Sequence, residues 1–531
     1  MVSLWHSSKN EQDPSENLDG QSSASRGSHN GGQRHSEDAT ERTRLLPPRE
    51  RPVDGYLDPD DPAVSPYNLW SVRALRYFTV LFVAITFIWW VLLLVSIFVS
   101  PPGMSTRGSG FFDFSYTTLT LGYLLIALLF FSVPSKAMEV CSLLLALLLL
   151  ICTIIVLAVP RLREEEGWVG TAAVAWATLM AAYHVLQDRA VAWGKREEEQ
   201  RLTGREETRR TLREWCAVLT YTVIMVILII VAILLTGTLC IRARDATLEA
   251  PGKRYYVDGG KYSVHLHCIG PTNSSVTILL EGGENPVEDT FELWAYEAYL
   301  NGSIPRYCYS DRPGLGWSDN APSPLSAGMA SDALSEALAL ATENGPFIIV
   351  SAGVGGIYSR IFASRHGPDV KGILLVDALH EDYLPRFGNP KKGFLLWFTG
   401  IISPLGLSRL PAAIFKGRTR EDRVYGQSAY QGGKFIKAKL QENLVADSLT
   451  HNELNAARNI QNRKTNLIIV SSGVEVRKSK QWGKKQEDLT TITDRLIKWD
   501  VVKGAKHEVW KSDEGARVLS KRVKQLVKAA E

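Results

Sequence analysis

The chain has 531 residues, with 60 lysines and arginines against 56 aspartates and glutamates, for a formal net charge of +4. So small an imbalance over this length excludes the broad basic surface that holds nucleic acid. Six cysteines are too few for a disulfide scaffold, and the mean hydropathy of −0.05 averages two unlike halves, one with long apolar stretches and one of ordinary soluble composition.

Residues 1–70 read as a disordered cytosolic tail. The segment is rich in Ser, Gly, Asp, Glu, Arg and Asn, and it cannot bury enough apolar surface to offset its chain entropy. No apolar run opens the chain, so no cleavable signal peptide is expected, and the acidic residues among its arginines argue against a mitochondrial presequence. Within the tail, Glu41-Arg42-Thr43-Arg44-Leu45-Leu46 has the E-x-x-x-L-L form of an acidic dileucine sorting signal. A sorting adaptor is its expected partner, and a vacuole or endosome its expected destination.

Five apolar runs follow in the region 71–245, at about 77–99, 114–133, 140–159, 169–185 and 215–240. Each is near the ~20 residues that a helix needs to cross a hydrocarbon core. The fourth is the weakest, being Ala-rich with His184 near its end, and a buried or interfacial helix is the alternative there. The runs carry almost no charged residues, which argues against an ion or substrate path through them. Basic residues concentrate before the first run (Arg42, Arg44, Arg49, Arg51, Arg73, Arg76) and between the fourth and fifth (Arg189, Lys195, Arg196, Arg201, Arg205, Arg209, Arg210, Arg213). Five crossings from a cytosolic N-terminus put both clusters inside and the C-terminal half on the lumenal side. Two glycosylation sequons, at Asn273 and Asn301, agree with that side.

From residue 250 to 531 the period changes to that of an α/β domain. Arg254–Val257 and Tyr262–Cys268 read as strands around an Asp258-Gly259-Gly260 turn. Val276–Leu280 is a third, followed by Glu281-Gly282-Gly283, and Arg306–Tyr309 a fourth. Phe347–Val350, Gly372–Val376, Leu467–Val470 and a short Trp499–Val502 complete the β runs, while Ala330–Asn344 has helical spacing. Strands alternating with helices imply a mostly parallel sheet covered on both faces.

The most informative stretch is Ser351-Ala352-Gly353-Val354-Gly355-Gly356, between an apolar strand and a helix-like segment. It has the strand–turn–helix form of a nucleophile elbow, in which G-x-S-x-G lifts a serine to the apex. Here the apex is Gly353.

These words together resemble the α/β-hydrolases of the prolyl-aminopeptidase and esterase-like group. Asp311-Arg312-Pro313-Gly314-Leu315-Gly316-Trp317-Ser318-Asp319 matches that group's D-R-P-G-x-G-x-S-D turn, Gly372–Asp377 its strand ending in Asp, and Val502–His507 its final strand and histidine. The whole chain also resembles fungal multi-pass membrane proteins with a hydrolase-like C-terminal domain. The first resemblance covers roughly residues 252–528 and implies an α/β-hydrolase fold with a cap inserted at about 380–466. It implies His507 as base, Asp377 as its orienting acid with Glu475 as the other candidate, and backbone N–H groups of Gly283 and Val354 as oxyanion donors. The nucleophile is missing: Ser351 and Ser359 lie away from the apex. Cys268 and Cys308 fall on the second and fourth strands, neighbours in this fold, so the resemblance implies a disulfide, with two buried free thiols as the alternative.

In the cap, Phe394–Phe398 with Ile401 and Ile402 reads as a helix packed on its own domain in preference to a lid over a lipid-like ligand or a bilayer contact. The expected protein is an integral membrane protein of the endomembrane system. Its hydrolase-like domain is expected to be catalytically inactive and to bind a partner or a small apolar or ester-like ligand on the lumenal side. The alternatives are a membrane-anchored hydrolase that uses an unconventional nucleophile, such as a water activated by His507 and Asp377, and a transporter with an accessory domain. No cofactor and no metal site is expected.

Overall fold

The computed structural model describes residues 66–531 except Ser105, Ser132 and 205–211. The tail and its Glu41, Leu45 and Leu46 lie outside the described residues.

Five long helices come first: α1 (Trp70–Phe98), α2 (Phe111–Leu129), α3 (Lys136–Ala158), α4 (Pro160–Thr203) and α5 (Leu212–Asp245). All five are long and apolar enough to span a membrane, which makes this an integral membrane protein. The fourth run, the faintest in the sequence, is the middle of a 44-residue helix broken at Gly167, whose φ of 61° is non-helical. Its alanines explain both the weak signal and the position. Ala173, Ala177 and Ala181 are buried in the bundle interior, where small residues let helices approach closely. Half of its apolar window is buried, against 17% for α1, whose flank is free to face lipid.

The expectation of an almost uncharged bundle needs correction. His184 of α4 meets Tyr221 Oη at 2.9 Å, and Ser142 donates to Asp188 at 2.8 Å. At the other end of the bundle, Asp113 and Glu166 are buried. Helical continuity beyond the apolar windows brings in these groups, so hydropathy alone could not count them.

After α5 the chain forms one sheet of eight strands: β1 (Lys253–Val257), β2 (Tyr262–Ile269), β3 (Thr277–Glu281), β4 (Tyr307–Ser310), β5 (Phe347–Ala352), β6 (Val370–Val376), β7 (Asn466–Ser472) and β8 (Arg495–Val502). The spatial order is β1-β2-β4-β3-β5-β6-β7-β8. β2 is antiparallel to both β1 and β4, and every other pairing is parallel. The central strands are continuous apolar runs because both faces are covered. On one face Ile278, Val350, Leu374 and Ile468 pack with α6 (Phe291–Leu300) and the C-terminal helix, Asp513–Ala530. On the other, Leu279, Ile349, Ile373 and Leu467 pack with α7 (Ala327–Leu340) and α8 (Gly355–Arg365). β8 is longer than expected, because its exposed Arg495 and Lys498 break the apolar run that marked only its end.

The segment between β6 and β7, read from the sequence as a cap, packs differently from the expectation. The helix Pro390–Ile402 shares a core with the membrane helices: Leu93, Ile97, Phe111, Phe114 and Val169 close with Ile436 and Leu440 of the cap around Leu396, Trp397 and Ile401. Gly400 makes the approach possible, since a Cβ there would lie 2.1 Å from the Phe111 ring. Phe394, Leu395 and Phe398 stay exposed, as do Leu407, Ile414 and Phe415 beyond a bend into Arg409–Phe415. An apolar cap helix reads the same in sequence whether it rests on its own domain or beside the spans.

Candidate functional site

The site forms where β5, β6 and β8 end on one edge of the sheet. β5 enters Gly353, which holds φ at +48° and hands over to α8. That left-handed backbone costs glycine little, whereas a serine there would be strained. Gly353 N–H donates to the Val376 carbonyl at 3.1 Å, and Leu379 N–H donates to the Gly353 carbonyl at 2.8 Å, so the elbow is pinned to β6.

Asp377 directly follows β6 and is fully buried. Its Oδ1 accepts from Ser472 N–H at 3.0 Å and Trp482 Nε1 at 2.9 Å, and its Oδ2 lies 2.7 Å from His507 Nδ1. His507 follows β8 in the loop after Gly504. The structure therefore brings His507 to Asp377. Glu475 lines the same cavity but pairs with Lys478 in place of His507, its Oε1 2.8 Å from Lys478 Nζ. Ser351 and Ser359 are buried and hydrogen-bond each other at 2.8 Å.

Sequence reasoning passed over Glu284. It follows Gly282-Gly283 after β3, and its Oε2 stands 3.4 Å from His507 Nε2. A Cβ built on Gly353 would lie 2.8 and 3.0 Å from the two Glu284 oxygens and 3.0 Å from His507 Nε2. The Glu284 carboxylate thus fills the space into which an elbow side chain would project. The available signal was an acidic residue directly after the glycine pair that follows β3. Trp482, whose ring meets His507 edge-on at 6.2 Å, was missed as well.

The electrostatics follow from that geometry. Burial opposes charge on both partners, yet their attraction outweighs it. Hydrogen bonding and attraction to His507 hold Glu284 down at about 2. His507, against the pull of burial, is raised to about 10 by Asp377 and Glu284. At neutral pH the arrangement is carboxylate, imidazolium, carboxylate, with no base left over.

The loop after β3, which carries Gly283, the expected oxyanion donor, is clamped from behind. Arg312 is buried and pairs with Glu281 Oε1 at 2.8 Å, and it also donates to the carbonyls of Gly282 and Gly283. Gly283 lies against the strand leading to the elbow, where an added Cβ would come 3.5 Å from the Ala352 carbonyl, and Val354 flanks the N-terminus of α8. A cavity of about 360 Å³ opens beside Glu284 and His507, walled by Asp289, Phe291, Lys506 and Trp510 among others.

Cys268 and Cys308 sit opposite each other on β2 and β4 and are disulfide-bonded. Asn273 and Asn301 are both exposed on loops.

A mostly parallel sheet in this order, with an elbow after β5 and a histidine after β8 bonded to an aspartate after β6, defines an α/β-hydrolase-like domain, carried here by a multi-pass membrane protein. The chain is 34% identical over 528 residues to the Schizosaccharomyces pombe protein C23C11.06c, covering 93% of this chain and 98% of that one, and it belongs to the same family. It is 29% identical over 384 residues to an uncharacterized vacuolar membrane protein of Saccharomyces cerevisiae, covering 60% of this chain and 59% of that one. A family model described as a region of unknown function, DUF2417, matches residues 41–268. Among solved structures, the chain is similar to MGS-M2, an α/β hydrolase from a deep-sea metagenome library, at 12% identity and a TM-score of 0.39, over 52% of this chain and 96% of that one. It is likewise similar to the enol-lactonase of Burkholderia xenovorans, at 14% identity and a TM-score of 0.37, over 52% of this chain and all of that one.

Proposed function

We propose that the lumenal domain is a catalytically silent hydrolase fold that binds a ligand in the cavity beside His507. The observation that carries this reading is the Glu284 carboxylate. It stands in the side-chain space of the Gly353 elbow and, with Asp377, keeps protonated the imidazole that a hydrolase would use as base. Serine-type acyl transfer needs an attacking hydroxyl and a neutral histidine beside it, and Gly353 with a His507 raised to about 10 offers neither. The same charge state speaks against a water activated by His507, because an imidazolium cannot accept the water's proton.

The ligand cavity carries Glu284, Asp289, Glu475 and Glu508 against Lys506 and His507, with Phe291 and Trp510 as apolar walls. This favours a small ligand with an apolar body and a positive charge over a neutral ester. The name of the budding-yeast relative and the dileucine motif at Glu41, Leu45 and Leu46 support a place in the vacuolar membrane. The distribution of lysine and arginine supports a cytosolic N-terminus and a lumenal sheet domain.

The test is turnover of p-nitrophenyl esters by full-length protein in nanodiscs. The parent is expected to show none, and Gly353→Ser alone is expected to stay silent because the new side chain meets the Glu284 carboxylate. Gly353→Ser with Glu284→Ala frees both the space and the imidazole, and should gain at least about 10²-fold over the parent. Ester turnover by the parent that disappears in His507→Ala would contradict the reading.

A further inference from the structure

A second cavity, of about 150 Å³, lies where the ends of α2, α4 and α5 meet the cap and the Asp311–Asp319 turn. Six cations line it, Arg161, Arg242, Arg254, Arg409, Arg423 and Lys434, against two acids, Glu165 and Asp245. Part of the charge is spent locally. Arg423 pairs with Asp245 at 2.6 Å, Arg242 with Glu165 at 3.1 Å, and Arg161 with the buried Asp319 at 2.5 Å. Arg254 and Arg409 have no carboxylate partner among the described residues.

The hydrogen-bond inventory of the wall is one-sided. Four buried polar atoms of its lining lack a partner among the described residues: Arg254 Nε, Trp317 Nε1, Arg409 Nε and Thr238 Oγ1. All four can donate, and of the four only Thr238 Oγ1 can also accept. A buried donor without an acceptor is costly, so native proteins satisfy such groups. Water would have protons of its own to place, and among these four atoms only Thr238 Oγ1 could take one. A group that is all acceptor and carries negative charge fits both the donors and the surplus of cations. The depressed pKa values agree. Burial, with the neighbouring Arg242 and Arg423, lowers Arg409 to about 10, and burial, with Arg161 and Arg254, lowers Lys434 to about 8.

We propose that this junction cavity is a binding site for a phosphate group, held by Arg254, Trp317, Arg409 and Lys434 between the membrane helices and the sheet domain. A tetrahedral oxyanion presents several acceptors to donors that converge from different elements. The site goes beyond the silent-hydrolase reading and is separate from the His507 cavity, although Pro286 contributes to both walls. Its position at the ends of three apolar helices is the depth of lipid headgroups. The exposed Leu407, Ile414 and Phe415 beside Arg409 would lie next to acyl chains. The phosphate can therefore belong to a lipid or be free.

Full-length protein in neutral detergent separates the two sources. Inorganic phosphate is titrated by calorimetry, while phosphatidic acid and diacylglycerol, with matched acyl chains, are counted by native mass spectrometry. One equivalent of phosphate or of phosphatidic acid should bind, and no diacylglycerol. Phosphatidic acid binding about ten-fold or more tighter than inorganic phosphate, and displaced by it, identifies a lipid headgroup; equal affinity identifies a free anion. Arg409→Gln and Arg254→Gln should each weaken binding about ten-fold or more, and Trp317→Phe, which removes only one N–H, a few-fold. Arg409→Lys keeps the charge and should lie between parent and Arg409→Gln; with Trp317→Phe it decides the matter if the glutamine variants do not fold. No saturable binding by the parent, or binding unchanged in Arg409→Lys and Trp317→Phe, overturns the proposal and leaves a cavity that holds water only.

Discussion

The two cavities are built from similar side chains and reach opposite electrostatic ends. Beside the elbow, one imidazolium lies between two carboxylates, Asp377 at 2.7 Å and Glu284 at 3.4 Å, and the Asp377 oxygens are further saturated by Ser472 and Trp482. At the junction, cations outnumber acids and four buried donors lack a partner among the described residues. A site whose charges close on one another has used up the groups that would act on a substrate, while a site with leftover donors is incomplete until something fills it. In this molecule the elbow site is the closed one, and the contact between membrane and sheet domain is the open one.

The largest way to break that contrast is Arg312→Ala. Arg312 clamps the loop that carries Glu284, and its turn also gives Gly314, Gly316 and Trp317 to the junction wall. Removing it strands the buried Glu281 without its partner, which typically costs about 3–5 kcal/mol. Thermal denaturation should show that loss, together with loss of binding in both cavities. A smaller change sharpens the contrast by sparing both sites. Cys268→Ser opens the bond to Cys308 and a loop of sequence separation 40, for a loss of about 2–4 kcal/mol. Phosphate binding and the state of His507 should not move, and chemical denaturation measures the difference. The same bond is expected to be oxidised in material from cells only if the sheet domain faces a lumen.

The smallest effect is the pH dependence of the closed site, and its sign follows from the two shifts. His507 is raised from 6.5 to about 10, so its contribution to stability is complete below about 6.5 and is lost as pH rises towards 10. Glu284 is lowered from 4.5 to about 2, so its contribution is complete above about 4.5 and is lost as pH falls towards 2.

Much of the fold was legible because burial on both faces writes a strand as an unbroken apolar run. β3, β5, β6 and β7 could be read this way, and the D-R-P-G turn and the residues before His507 gave the frame around them. The bond from Asp377 to His507 was reachable for the same reason, since each closes an identifiable strand. Other features were written more faintly. β8 mixes Arg495 and Lys498 into its run, and α4 trades hydrophobicity for the alanines that let it sit inside the bundle. Glu284 is a single carboxylate in a loop, and only the spatial approach of β3 to the elbow turns it into the occupant of the nucleophile's space. The cap's docking on Phe111 depends on one residue, Gly400, in a helix whose apolar pattern suits either surface. The unpaired donors at the junction come from residues separated by as many as 171 positions, Thr238 and Arg409 among them, and no local pattern announces them.

The most direct measurement is the charge on His507 in the intact protein. Full-length protein with ¹³C-labelled histidine, assigned against His507→Asn, can be titrated by NMR in nanodiscs. The ring should stay an imidazolium through pH 8 and titrate near 10, with a lower value in Glu284→Gln. A neutral ring at pH 7.5 in the parent would contradict a closed carboxylate–imidazolium–carboxylate site and return His507 to the role of base.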